Sequence, residues 1–221
     1  MDIQPLANKI ADILVQAFVI LFAITVHEVA HGWIAKKRGD PTAYEAGRVT
    51  LNPLVHIDII GTILVPLILI LSHGPVFGWA KFVPHDPRRL RHPRRDRIWI
   101  SLAGPASNLA VAVVTLIPFL LIKPLAYGTA SSALLAKSIV AIFLILHRTI
   151  LINAIFAVIN LIPLPPFDGS WIVEGLLPKR VADQYASLRP YGMIIMMAIF
   201  LSPIPSYIIS PVWRVIDNLA R

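Results

Sequence analysis

Residues 13–35 read ILVQAFVILFAITVHEVAHGWIA, and this stretch decides the class of fold. An apolar run of about 20 residues is long enough for an α-helix to cross a bilayer. Close to its carboxyl end this run contains His27, Glu28 and His31, and Lys36–Arg38 follow it directly. The stretch therefore predicts a membrane-spanning helix that carries a polar cluster.

The composition of the whole chain agrees with a membrane protein. Of 221 residues, 57% are hydrophobic and 14% are charged, and the mean hydropathy is +0.73. A soluble domain carries about 25% charged residues, so we exclude a disordered chain, a water-soluble globule and a fibrous repeat. The chain has no cysteine, which excludes disulfides and thiolate ligands. Any bound metal must therefore be held by histidine, aspartate or glutamate.

Four further apolar runs follow the first one, at residues 57–71, 98–122, 134–162 and 191–209. We therefore expect an all-α polytopic membrane protein, a helical bundle of about four to six membrane segments. No stretch is long and polar enough for a separate soluble domain. The sequence predicts a single membrane-embedded domain over residues 1–221, with a core at about 13–175 and a C-terminal membrane segment at about 190–221.

The basic residues predict the orientation in the membrane. They cluster at Lys36–Arg38, at residues 88–97 and at residues 179–189, and the formal net charge is +8. By the positive-inside rule all three clusters lie in the cytoplasm and contact anionic headgroups. Binding to nucleic acid is the weaker interpretation of this positive charge, because the basic residues flank apolar spans. With the first two clusters on one side, residues 57–71 should form a re-entrant element that returns through residues 74–84.

The sequence HEVAH at residues 27–31 predicts a metal site. Residues four apart lie on one helix face, so His27 and His31 can bind one ion. Glu28 can then take a proton from a water that zinc has acidified. A match of this kind is expected in roughly 3 of 1,000 shuffled chains. The alternative is a hydrogen-bonded histidine pair in the bundle core, but a glutamate within a membrane span indicates function.

A catalytic zinc site needs a third protein ligand. The fourth run ends in NLIPLPPFDG, residues 160–169, where the prolines must break the helix. Asp168 then returns to the cytoplasmic half of the membrane. At 1.5 Å per residue, His31 lies about 8 Å and His27 about 14 Å from Lys36 along the first helix. Asp168 and the histidines are therefore predicted at a similar depth, toward the cytoplasmic side.

The chain resembles the site-2 proteases, the intramembrane zinc metalloproteases of peptidase family M50, in the small prokaryotic branch without a PDZ domain. The resemblance rests on HEVAH, on the LAGP sequence at residues 102–105 and on NLIPLPPFDG. Phe167 departs from it, since leucine is common there. The resemblance implies one Zn²⁺ per chain, held by three ligands, with a catalytic base and a polar group near the scissile peptide. The three implied ligands are His27, His31 and Asp168. The implied base is Glu28, and the implied polar group is Asn160.

Several other polar residues admit more than one role. The Asn160 amide can donate to a developing oxyanion, whereas Asn153 is expected to join helices by hydrogen bonds and Asn108 to pack. Asp58 is expected to cap the helix that follows it. The roles of three further residues, His56, His147 and Arg148, stay open.

The implied reaction is hydrolysis of a peptide bond within or beside a transmembrane helix of a membrane-protein substrate, in the cytoplasmic membrane. Residues 44–51 are expected to form a short β-strand near the active site, with Val49 pairing to the unwound substrate. The alternatives are a membrane transporter or metal-handling protein and an inactive scaffold of the same fold. The expected partners are the substrate and the lipid bilayer, not nucleic acid. The substrate's identity and the oligomeric state stay open.

Overall fold

The computed structural model describes residues 4–72, 77–127 and 132–220, and these residues form an almost entirely helical chain. The α-helices are α1 Gln4–Arg38, α2 Thr42–Glu45, α3 Val65–Leu71, α4 Pro93–Ala126, α5 Ala133–Asn160, α6 Asp168–Leu176, α7 Lys179–Ala186, α8 Gly192–Phe200 and α9 Ile204–Ala220. Short 3₁₀ turns lie at Pro53–His56, Pro87–Arg89 and Arg189–Tyr191, and a π-helical segment at Ile59–Leu64 leads into α3.

Three of the described helices, α1, α4 and α5, are long and apolar enough to cross a membrane. A fourth span is present if Lys179–Phe200 and Ile204–Ala220, which meet at an angle of 64°, count as one bent span. The chain is thus a multi-pass membrane protein whose described residues hold three to four candidate spans, which meets the predicted range of about four to six segments only at its lower end. The apolar run at 57–71 is too short to cross a membrane as one helix, because its helix covers only Ile59–Leu71.

The predicted β-strand at residues 44–51 is wrong, and the described residues contain no strand. Instead, α2 ends there in a hydrogen-bonded turn. Gly47 N donates to Tyr44 O at 3.0 Å, and Arg48 N donates to Ala43 O at 2.9 Å. Gly47 adopts a φ of +66°, in the left-handed region that glycine tolerates at helix ends. Because the turn uses these amides, they are not free to pair with an extended chain.

The two ends of the segment 57–84 lie close together. The Asp58 side chain accepts from Gly61 N at 2.7 Å, which confirms its predicted role as a helix cap. Further along the chain, Trp79 N donates to Gly61 O at 3.2 Å and Lys81 N donates to His56 O at 3.0 Å. Residues 74–76 of the predicted return path lie outside the described residues.

The bundle core lies between α4, α5 and α9. Phe119 and Phe143 stack at 4.9 Å between ring centroids, and Ile216 packs into the same cluster. Many apolar side chains point away from the core: Leu14, Phe18, Val114, Leu121 and Leu134 are each more than half exposed. An apolar exterior around a packed core is the surface that a bilayer solvates.

Candidate metal centre

His27, His31 and Asp168 lie together inside the bundle, as the sequence predicts. The Asp168 Oδ2 atom lies 3.0 Å from His27 Nε2 and 3.2 Å from His31 Nε2. The two Nε2 atoms are 3.0 Å apart. All three potential ligand atoms fall within 4.8 Å of one another, and both histidines are buried. One helical turn of α1 supplies two ligands, and the first residue of α6 supplies the third.

The second ring nitrogen of His31 fixes the tautomer of its imidazole. His31 Nδ1 lies 2.7 Å from Ile100 O on α4. A backbone carbonyl only accepts hydrogen bonds, so Nδ1 carries the proton and donates it. In the neutral imidazole, the form that binds a metal, the Nε2 atom of His31 therefore presents a lone pair toward His27 and Asp168.

His27 is held in the same way by a side chain of α4. His27 Nδ1 lies 2.7 Å from Asn108 Oδ1. The amide nitrogen of Asn108 donates to Ala23 O at 3.0 Å and to Asn153 Oδ1 at 2.9 Å. These two bonds place the Asn108 oxygen toward His27, so His27 Nδ1 is also the donor, and in the neutral ring Nε2 is also a bare acceptor.

The site therefore brings together two imidazole lone pairs and a carboxylate oxygen. Asp168 Oδ2 is buried and has no hydrogen-bond partner in the described part of the chain. Three acceptors facing one another repel unless a cation lies between them. Two imidazole nitrogens and one carboxylate oxygen form a donor set of catalytic zinc sites, in which the fourth position is left for water. The residues present thus fit a bound zinc ion.

Gly104 of α4 allows this helix to approach the two imidazoles. A Cβ atom built on Gly104 would lie 2.5 Å from both His27 Cε1 and His31 Nε2, closer than carbon atoms come in proteins. Gly104 lies four residues after Ile100 and four before Asn108, so all three lie on one face of α4. This face of α4 supports both histidines.

Glu28 lies beside the cluster but outside the set of three potential ligands. Its side chain is buried, and Glu28 Oε2 accepts a hydrogen bond from Val83 N at 3.2 Å. Val83 belongs to a segment without regular secondary structure, residues 77–86, which we call the strap. The strap therefore holds one oxygen of the Glu28 carboxylate.

The two remaining predicted site residues have different surroundings. Asn160 lies at the end of α5, half-buried, and its Nδ2 donates to Phe156 O of the same helix at 3.0 Å. Val49 lies against α1, since a Cβ on Gly32 would come within 2.8 Å of Val49 Cγ2. Gly32 directly follows His31, so Val49 packs against the helical turn that carries His31 without forming the predicted strand.

Asn108 is the residue that sequence reasoning missed, because it was interpreted as packing. Asn153 was expected to form interhelical hydrogen bonds, and its bond to Asn108 confirms this. The four-residue spacing of Gly104 and Asn108 could have indicated that both face the same helix. The role of Ile100 rests on a backbone carbonyl, which no side-chain pattern reveals.

Comparisons with known proteins agree with this chemistry. The sequence model described as Peptidase family M50 matches residues 15–203. The chain is 38% identical to YwhC of Bacillus subtilis (strain 168), named as an inferred zinc metalloprotease, over 87% of this chain and 82% of YwhC. It is 29% identical to Rip2 of Mycolicibacterium smegmatis, over 83% of this chain and 65% of Rip2, and Rip2 carries the same kind of name. No solved structure matches the chain.

Proposed function

The chain belongs to peptidase family M50, and on this premise we propose that this zinc metalloprotease is of the site-2 type and hydrolyses peptide bonds within or beside transmembrane helices. The observation that carries the proposal is the trio of acceptors on α1 and α6, two buried histidines and a half-buried aspartate. Both histidines belong to a helix long and apolar enough to span a membrane. A substrate that reaches them must itself enter the membrane, so we propose a membrane protein as the partner, in contact with the bilayer.

The residues of the chain have separate roles in this proposal. His27, His31 and Asp168 hold one zinc ion, which when bound acidifies a water molecule and polarises the scissile carbonyl. Glu28 accepts the proton of the attacking water and passes it to the leaving amine. The carboxamide of Asn160 donates to the substrate near the scissile bond, which requires it to leave its bond to Phe156 O.

The proposed location is the cytoplasmic membrane, with the site toward the cytoplasm. Two basic clusters lie at the same end of the bundle, since Arg91 N donates to Arg38 O at 3.1 Å and Arg38 pairs with Asp96 at 3.4 Å. His31 lies less than two helical turns from Lys36. These contacts and the positive-inside rule support a site in the cytoplasmic half of the membrane.

Zinc content and cleavage, measured together, test the proposal. We expect about one zinc per chain in the wild type and in Glu28→Gln. Little zinc should remain in His31→Ala and Asp168→Ala, because removal of any one protein ligand lowers the affinity of the site for zinc. The cleavage assay uses single-pass transmembrane reporters tagged at both ends and purified with the protein in detergent. Wild type should release a tagged fragment and Glu28→Gln should not.

Three outcomes would contradict this proposal. Zinc retained in both ligand variants would show that these residues do not form the metal site. Cleavage by Glu28→Gln at the wild-type rate would show that Glu28 is not the general base. If zinc-loaded wild type cleaved no reporter, a transporter or scaffold would explain the bound metal better.

A further inference from the structure

The strap is attached along most of its length. Phe77 is buried against Phe167 and α8. Thr62 Oγ1 donates to Trp79 O at 2.9 Å, and at the far end Asp86 N donates to Asp40 Oδ2 at 2.7 Å. Between these attachments the strap runs past α1 and meets Glu28. Its backbone is thus fixed on both sides of the contact with the carboxylate.

The central attachment of the strap is a buried arginine. The Arg48 side chain follows the turn after α2, and the residue is 8% exposed. Its guanidinium donates to Val55 O, to Lys81 O at 2.5 Å and to Phe82 O at 3.5 Å. Its Nε atom is buried and has no hydrogen-bond partner among the described residues. A buried cation is costly, and here backbone carbonyl dipoles compensate it.

One peptide unit links Arg48 to Glu28. The bond between Phe82 and Val83 is trans, so the carbonyl of Phe82 and the amide of Val83 point in opposite directions. The carbonyl faces the Arg48 guanidinium, and the amide donates to Glu28 Oε2 at 3.2 Å. Pro84 restricts Val83 to extended conformations, which preserves this arrangement. The cation, the peptide dipole and the carboxylate are therefore aligned head to tail.

We propose that Arg48 is a positioning residue for Glu28 and acts through the peptide unit of Phe82 and Val83. The cation polarises the peptide and strengthens its amide as a donor to the carboxylate. The amide then holds Oε2 and leaves the other oxygen of Glu28 to receive a proton. This inference rests on the proposed function, because it assigns a partner to the proposed general base.

Steady-state kinetics on a transmembrane reporter that the wild type cleaves test the inference with two pairs of variants. Arg48→Met removes the cation, and Arg48→Lys keeps a charge at the same place. Val83→Pro removes the amide proton, and Val83→Ala keeps it. We expect kcat to fall about tenfold or more in Arg48→Met and Val83→Pro, a loss typical of supporting partners. Zinc content and KM should stay at wild-type values, and Arg48→Lys and Val83→Ala should retain most of kcat.

A double-mutant cycle separates positioning from a general loss of stability. If Arg48 and Val83 act through one peptide unit, Arg48→Met combined with Val83→Pro should be no slower than the slower single variant. If the two losses multiply, the residues act independently and the inference fails. It also fails if Arg48→Met lowers zinc content or the melting temperature together with kcat, because Arg48 would then only maintain the fold.

Amide hydrogen exchange of Val83 provides a readout that needs no activity. In the metal-loaded protein we expect this amide to exchange at least tenfold faster in Glu28→Ala and in Arg48→Met than in wild type, because each variant weakens its hydrogen bond. Unchanged exchange in Arg48→Met would overturn the inference. If zinc-loaded wild type cleaves no reporter, the proposed function fails; if wild type cleaves, Glu28→Gln does not, and the Arg48 and Val83 variants behave like wild type, this inference alone fails.

Discussion

Asn108 determines which nitrogen of His27 is free. Its oxygen accepts from His27 Nδ1, and its amide nitrogen is held by Ala23 O and by Asn153. Rotating the amide by half a turn would place an acceptor against the Ala23 carbonyl and the Asn153 oxygen, which would break both of these bonds. The side chain is fully buried, so water cannot substitute for it. Asn108 thus stabilises the tautomer that zinc requires.

Replacing Asn108 should weaken zinc binding without removing a ligand. We expect Asn108→Ala to lower zinc affinity about 10- to 100-fold, because partners of metal-bound histidines contribute that much. Asn108→Asp keeps an acceptor for His27 Nδ1 and should bind zinc more tightly than Asn108→Ala. Competition with a chelator measures both values, and Ser107→Ala serves as the neighbouring control. Wild-type affinity in Asn108→Ala would mean that the contact does not support the site.

The residues of the site differ in how far the sequence reveals them. His27 and His31 belong to one helix, so their spacing alone predicts that they meet. Asp168 lies far along the chain, and its position required the topology and the family resemblance. Arg48 carries no such signal, because an arginine in a polar stretch normally faces water. Its burial results from carbonyl groups that the sequence does not distinguish from any others.

At the scale of elements, α4 is the support on which the site depends. The face formed by Ile100, Gly104 and Asn108 meets both histidines of α1. Gly104 leaves room for the imidazole rings, and the residues one turn before and one turn after it hold the two Nδ1 atoms. The distance between α1 and α4 is therefore set at the level of the metal centre.

A methyl group at Gly104 should disrupt the site. In Gly104→Ala the new Cβ would lie 2.5 Å from both rings, which are held on their other sides, so α4 must move away. We expect loss of most bound zinc and a lower melting temperature. Gly192→Ala is the matched control, since its Cβ would meet Pro166 N at an ordinary 3.4 Å. Wild-type zinc content in Gly104→Ala would show that the helices adjust without cost.

The long apolar helices are predictable from the sequence, whereas the conformation of short segments is not. The long apolar runs correspond to α1, α4 and α5. The stretch at 44–51 was predicted as a strand because of its β-branched residues, but β propensity reflects packing on a sheet more than backbone preference. No neighbouring strand exists among the described residues, and the α2 turn takes the amides of Gly47 and Arg48.

At the scale of the molecule, the two ends of the bundle differ in charge. One end gathers aromatic rings under cations, with Lys37 over Trp33, Arg38 over Trp99 and Arg189 over Trp171. Such pairs suit the headgroup region, where cations and indole rings concentrate. This end contains the basic clusters and lies nearest the metal centre. The asymmetry gives the bundle a preferred orientation.

The last turn of α9 lies at the opposite end of the bundle, whereas the sequence alone leaves the side of this segment open. Lys123 Nζ donates to Leu219 O at 2.9 Å, and Tyr127 Oη donates to Ala220 O at 2.9 Å. Lys123 and Tyr127 lie at the end of α4, whereas the basic cluster lies at its start. If the basic end is cytoplasmic, the last turn of α9 must therefore face the outside.

Cysteine labelling tests this orientation in intact cells, because the chain contains no cysteine of its own. We expect Ser132→Cys and Asn218→Cys to react with a membrane-impermeant maleimide added outside. Arg91→Cys should react only after the membrane is opened, since it lies in the basic cluster. Reaction of Asn218→Cys only after opening would place the last turn of α9 in the cytoplasm and contradict the packing of α9 against α4. Labelling of Arg91→Cys from outside would show that the bundle has the opposite orientation, with the metal centre in the outer half of the membrane.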